Sequence, residues 1–211
     1  MAEIKIETII LGMVRTNCYL AMNQKTGEGF LVDPADQPEA IKDMVSRMGM
    51  KPEAILLTHG HFDHIGAAKA IKDFYQIPIL AHEEEKSVME NAFCNLSQSF
   101  GQPFAVYADH LCREGEILEI AGFQIRIMHT PGHTKGGVCY YLPQQQVVFS
   151  GDTLFYESMG RTDFPTGSAA ELKQSLRRLT EELPGETKVY PGHEMTTDIA
   201  HEKSYNPFLI Y

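Results

Sequence analysis

The stretch THGHFDHIG sets His59, His61, Asp63 and His64 within six consecutive positions, in a chain of 211 residues that has only 9 histidines. A buried imidazole costs free energy unless its nitrogens find partners, so packing gives no reason to gather three of them beside a carboxylate. Neutral nitrogen and anionic oxygen are what borderline-soft divalent cations bind. Three more donors share a local context: His133 in TPGH, Asp152 in FSGD and His193 in YPGH each follow a glycine just past an apolar run. Seven donors exceed the needs of one tetrahedral ion and suit two. If residues 59–64 form an extended turn, alternation aims His59 and His61 at one ion and Asp63 and His64 at another, with Asp152 able to bridge. A closed structural zinc site is disfavoured, since it uses four ligands, often cysteine, and no cysteine lies in these motifs.

Two divalent cations, two carboxylates and a bridging hydroxide keep a net positive charge, which suits an oxyanion forming in a tetrahedral transition state. Cation binding brings the pKa of water to about 7, so hydroxide is available without a strong base. The expected reaction is hydrolysis, with a metal-bound hydroxide attacking an acyl carbon and Asp63 and Asp152 as the catalytic carboxylates. No Lys, Tyr or Glu is evident inside the ligand motifs to protonate a poor leaving group. A thioester or activated ester therefore suits the site better than an amide.

These donors need strand ends to hold them. IKIETIIL, NCYLAM and GFLVDP are apolar-rich runs separated by turn residues. From Asp36 the period changes: Ile41, Met44, Val45 and Met48 recur at helical spacing, followed by Gly49. AILLT, 54–58, predicts a short buried strand leading into the histidine cluster, and IGAAKAIKDFY a helix after it. PILAH is a further strand. Residues 83–112 are less regular. EEEKSVMENAF has helical character, and Phe93, Phe100, Phe104 and Tyr107 are assigned to core packing in preference to a wall or lid over a pocket. ILEIAGFQIRIMH predicts two strands around Ala121-Gly122, and GVCYYL and QVVFSGD two more. Ser168 and Glu171 form a capping box for a helix carrying Leu172, Leu176 and Leu179. KVYPGH is a last strand. Strands then a helix, twice over, gives an α/β or α+β class with two packed sheets and outer helices.

Composition bounds the rest. The length fits one domain over 1–211, with 43% hydrophobic residues to build a core. Asp plus Glu exceed Lys plus Arg by 28 to 18, a formal charge of -10, which opposes a nucleic-acid partner. No apolar stretch reaches membrane-spanning length and the N-terminus lacks an export pattern, so no membrane partner and a cytoplasmic location are expected. Cys18, Cys94, Cys112 and Cys139 form no metal-finger spacing and are taken as free thiols.

The ordered set T-H-G-H-F-D-H, G-H at 132–133, G-D at 151–152 and G-H at 192–193 resembles the metallo-β-lactamase superfamily and spans most of the chain. The resemblance implies an αββα four-layer sandwich with a binuclear centre. His59, His61 and His133 would hold one metal, Asp63, His64 and His193 the other, and Asp152 both. Zinc is the expected cation, with iron or manganese also compatible. GDTLFYESMGRTDFPTGS, PGHE and HEKSYNPFL resemble the small glyoxalase II-like hydrolases, whose substrate class is an acyl thioester such as S-lactoylglutathione. There Arg161 would bind the glutathione carboxylate, against the alternative of a loop-stabilising pair with Asp163. Two departures point to a looser grip on glutathione: Met195 stands where the family has a tyrosine, and no further helical domain follows. GRTDF and Asn206-Pro207 also resemble persulfide dioxygenases, which would use one iron on His59, His133 and Asp152. A metal-binding protein without activity is the third reading. His82, His110, His129 and His201 lie outside the motifs and are assigned surface or supporting roles.

Overall fold

The computed structural model describes residues 2–209. In chain order they form β1 (Ile4–Leu11), β2 (Thr16–Asn23), β3 (Glu28–Val32), α1 (Pro38–Met48), β4 (Lys51–Leu56), α2 (Phe62–Ile65), α3 (Ala68–Tyr75), β5 (Ile79–His82), α4 (Lys86–Met89), α5 (Ser97–Phe100) and β6 (His110–Cys112). The second half contributes β7 (Ile117–Ile120), β8 (Phe123–His129), β9 (Val138–Leu142), β10 (Val147–Gly151), β11 (Leu154–Phe155), β12 (Ser158–Met159), α6 (Ala169–Glu182), β13 (Lys188–Pro191), β14 (Thr197–Asp198) and α7 (Ile199–Tyr205). One six-stranded sheet runs β1-β2-β3-β4-β5-β6 and the other β14-β13-β10-β9-β8-β7, with β11 and β12 as a separate ribbon. In the first, β3 to β6 pair in parallel; in the second, only β10 and β13 do.

Strand alternation produces the layers. Tyr19, Ala21, Phe30 and Leu56 of the first sheet meet Phe123, Ile125, Tyr140 and Phe149 of the second. The opposite face of the first sheet, with Leu20, Leu31 and Ile55, packs on Ile41 and Val45 of α1 and Ile71 of α3. The opposite face of the second, with Met128, Cys139 and Val148, packs on Leu176 and Leu179 of α6 and Ile199 of α7. Three cores between four layers make the expected αββα sandwich. The Ser168 hydroxyl caps α6 by accepting from the Glu171 N–H, and the tight β7–β8 turn has positive φ at Ala121 and Gly122.

Three expectations need correction. Residues 59–64 are not one extended turn: His61 is extended, but Asp63 and His64 lie in α2. The helix expected over EEEKSVMENAF breaks after Met89, where the Asn91 side chain accepts from the backbone N–H groups of Phe93 and Cys94 and competes with helical pairing. Of the four aromatics assigned to the core, only Phe104 packs against it. Phe93, Phe100 and Tyr107 are exposed. Among the described residues all four cysteines are unpaired, and no helix is long and apolar enough to cross a membrane.

Candidate functional site

Each of the seven donors sits past a strand end on one rim of the sandwich. His59 and His61 lie in the extended segment after β4, Asp63 and His64 on the helical turn that follows. His133 comes after β8, Asp152 after β10 and His193 after β13. His59, His61 and His133 form one group of potential ligand atoms, all within 4.8 Å of one another, and Asp63, His64 and His193 form another. Asp152 lies between them. Its Oδ2 is 3.4 Å from His133 Nε2 and 3.6 Å from His193 Nε2, while Oδ1 is 3.4 Å from His64 Nε2. The structure thus brings His59, His61 and His133 together on one side of Asp152 and Asp63, His64 and His193 on the other, and the helical turn at Phe62, not strand alternation, separates them.

These separations fit cations better than hydrogen bonds. Four ligands at about 2.0–2.1 Å around a tetrahedral ion lie about 3.3 Å from one another. Asp63 Oδ2 is 3.4 Å from His193 Nε2 and 3.6 Å from His64 Nε2, and the two imidazole Nε2 atoms are 3.4 Å apart. His61 Nδ1 and His133 Nε2 are closer, at 2.8 Å. His59 Nε2, His61 Nε2 and Asp152 Oδ1 are buried without a hydrogen-bond partner. Buried polar atoms are seldom left so, and three at one point mark a place for a ligand.

Supporting contacts aim the rings. His133 Nδ1 donates to the Arg161 carbonyl at 2.7 Å, leaving Nε2 free to face the other donors. Asp33, at the end of β3, accepts from the Thr58 N–H at 2.8 Å, the Thr58 hydroxyl at 2.6 Å and His64 Nδ1 at 2.9 Å. The Thr16 hydroxyl donates to Asp63 at 3.0 Å. Buried Glu85 accepts from the N–H groups of Gly60 and Gly136 and the Thr134 hydroxyl, tying the His59–His61 segment to the loop of His133. Sequence reasoning missed both Asp33 and Glu85. Asp33 carried a usable signal, since it is also an acid just past an apolar strand; Glu85 sits in an acidic run that reads as surface. At Gly192 a Cβ would come within 2.2 Å of Asp152 Oδ1 and 2.7 Å of His64 Cε1, so only glycine admits this approach.

Charge divides the two groups in the metal-free chain. Burial pushes the pKa of His59 well below the ordinary histidine range, that of His61 down to about 3, and that of His133 also down. Their nitrogens keep lone pairs at neutral pH. Burial would depress His64 too, but Asp63, Asp152 and Asp33 overcome it and hold the imidazole well above its usual value. His193 is raised against burial by Asp63 and Asp152. Burial opposes ionisation of Asp63, yet His64 and His193 bring it down to about 2, and His64 and His133 depress Asp152 in the same way.

Five of the donors, His61, Asp63, His133, Asp152 and His193, line a cleft of about 920 Å³ whose wall is largely apolar, including Phe62, Phe100, Phe155, Met159 and Met195. Arg161 lines it but is held by Asp163, with Nε and Nη2 at 2.7 and 2.6 Å from the two carboxylate oxygens, and lies over the Phe164 ring. The sequence offered substrate binding or this pair as alternatives; the geometry places Arg161 at the cleft and in the pair. Glu194, beside His193, also lines the cleft, an acid the motif reading passed over. The four remaining histidines lie away from the donors: His82 stacks on His129, His110 pairs with Glu116 and His201 with Glu157.

A family model described as the metallo-beta-lactamase superfamily matches residues 11–193. The chain belongs to that superfamily. Among curated relatives, hydroxyacylglutathione hydrolase GloC of Haemophilus influenzae is 34% identical over 207 residues, covering 97% of each chain. The crystal structure of the BLEG-1 B3 metallo-beta-lactamase superposes with a TM-score of 0.93 and 38% identity, covering 98% of this chain and 100% of that one. TTHA1623, crystallised in a di-iron-bound form, gives a TM-score of 0.86 with 35% identity over 96% of this chain and 100% of that one. Membership of the metallo-beta-lactamase superfamily makes this a metallo-hydrolase-type chain with a His/Asp metal-binding cluster, in keeping with the geometry above.

Proposed function

We propose that the chain is a binuclear metallo-hydrolase of acyl thioesters, S-lactoylglutathione or a related small molecule. His59, His61 and His133 would hold one divalent cation, Asp63, His64 and His193 the second, and Asp152 both. Zinc fits the nitrogen-rich donor set, and iron fits it as well. The carrying observation is the carboxylate of Asp152, which reaches both donor groups at 3.4–3.6 Å. When bound, such a pair of cations supplies water that ionises near neutral pH and positive charge for the oxyanion of a tetrahedral transition state.

The chain's own residues do the rest. Asp33 and the Arg161 carbonyl fix the His64 and His133 rings by bonding their Nδ1 atoms, and Thr16 orients Asp63. The apolar wall lowers the local dielectric beside the reacting group. Among the described residues neither Lys nor Tyr lines the cleft. Thioesters release a thiolate that needs no protonation, and the likeness to GloC supports the same class.

Metal analysis together with paired assays tests this reading. The expected result is two divalent cations per chain and hydrolysis of S-lactoylglutathione. One iron per chain, with oxygen uptake on glutathione persulfide and no thioester cleavage, would replace the hydrolase with a dioxygenase.

A further inference from the structure

Among the described residues, one further group of potential metal ligands shares no member with the seven donors and their support. It comprises His110, Cys112 and Glu116, with one ligand atom of each within 4.8 Å of the others. Local structure explains the convergence. His110 and Cys112 are alternate residues of β6, so their side chains leave the same face of the strand. The chain then turns, with the Glu116 N–H donating to the Arg113 carbonyl at 3.2 Å and Gly115 at a left-handed φ of 74°. β8 pins this turn: the Ile127 carbonyl accepts from the Gly115 N–H at 3.0 Å, and the Ile127 N–H donates to the Glu116 carbonyl at 2.9 Å. Glu116 Oε2 accepts from the Arg113 N–H at 3.0 Å, which leaves Oε1 to meet His110 Nε2 at 2.9 Å. An exposed pair of this kind contributes little by itself, and it gives no reason for the thiol beside it. Cys112 is fully buried, and among the described residues its thiol has neither a disulfide nor a hydrogen-bond partner. β6 is the edge strand of the first sheet, and Glu116 immediately precedes β7, an edge strand of the second.

We propose that His110, Cys112 and Glu116 form a peripheral site for one thiophilic divalent cation, zinc in the first instance, with water as the fourth ligand. Thiolate, imidazole and carboxylate are donor types that zinc takes, whereas a single carboxylate offers little to magnesium or calcium. Bonds of about 2.3 Å to sulfur and about 2.0–2.2 Å to nitrogen and oxygen place tetrahedral ligand atoms about 3.3–3.6 Å apart. His110 and Glu116 must therefore separate slightly, and the half-exposed His110 ring has room to do so. The cation displaces the thiol proton, which burial and then Glu116 hold up to about 12, so this site fills after the central pair. Once filled, it cross-links the edges of the two sheets, whatever reaction the cleft carries out.

Cobalt titration of the chain preloaded with two equivalents of zinc tests this site apart from the centre. None of the seven central donors is sulfur, and a thiolate-to-cobalt charge-transfer band in the near ultraviolet requires a sulfur ligand. The expected result is such a band, saturating at one cobalt per chain and absent from Cys112→Ser. Removing a contact that merely supports a metal ligand costs about 10–100-fold in affinity, so losing a ligand should cost at least about tenfold. His110→Ala and Glu116→Gln should each raise the cobalt needed for half-saturation by that factor. No band at saturating cobalt, a band that survives Cys112→Ser, or native cobalt affinity in His110→Ala overturns the proposal. Should Cys112→Ser fail to fold, the His110 and Glu116 variants decide, because both side chains reach solvent.

Discussion

Replacing Asp33 by Asn changes neither volume nor shape, but it removes a charge from beneath the proposed metal centre. The carboxylate is almost fully buried and accepts three hydrogen bonds: Oδ1 from the Thr58 N–H, Oδ2 from the Thr58 hydroxyl and His64 Nδ1. An amide oriented with its nitrogen at Oδ1 points a donor at the Thr58 N–H. Turned over, it points a donor at His64 Nδ1, and His64 must then move its proton to Nε2, the atom that faces Asp63, Asp152 and His193. One orientation leaves a buried donor unpaired; the other blocks a metal ligand. Losing one bond to a charged acceptor and stranding a donor costs about 2–4 kcal/mol. Removing a partner that orients a metal-binding imidazole lowers affinity about 10–100-fold. Urea unfolding of the metal-free protein should show the first loss. Competition against a chromophoric chelator should show the second, larger at the Asp63/His64/His193 group than at the His59/His61/His133 group. A folded variant that binds both cations with native affinity would refute the reasoning, because the His64 ring would then be fixed without Asp33.

Gly192→Ala should drive a methyl into Asp152 Oδ1 and turn the carboxylate proposed to bridge the two cations; metal content should fall below two per chain with a stability loss of about 1–3 kcal/mol, read by elemental analysis and thermal melting. The two donor groups should also respond differently to pH. His59, His61 and His133 have lowered pKa values, so protons do not compete for them near neutrality. His64 and His193 are raised, so protons compete there above the ordinary histidine range until pH exceeds their folded pKa values. Lowering pH from 8 to 6 should then weaken one metal equivalent by about tenfold per pH unit for each proton displaced and leave the other nearly constant, as followed by calorimetry in buffers of different ionisation enthalpy. Equal dependence at both equivalents would contradict the assigned electrostatics.

The sequence by itself determined what depends on neighbours along the chain. The apolar runs NCYLAM and GVCYYL, helical spacing in α1 and the Ser168 cap all report local preferences, and each has its counterpart in the fold. The donor types of His59, His61, Asp63, His64, His133, Asp152 and His193 were legible for a related reason: metal chemistry restricts ligands to a few side chains, and loops after strands can aim them. Tertiary structure decided what depends on partners far along the chain. Asp33 became a supporting residue through Thr58, 25 positions away, and Asn17 ties its strand to the carbonyl of Pro191, 174 positions away. Glu85 lies in a run of acids that looks solvated, and only folding buries it against Gly60, Thr134 and Gly136. Phe100 is as hydrophobic as any core residue, yet its ring stacks on Phe62 in the cleft wall, while Met89 and Val106 of the same irregular segment enter the core. Periodicity gives the face of an element; only the assembled sheets give what that face meets.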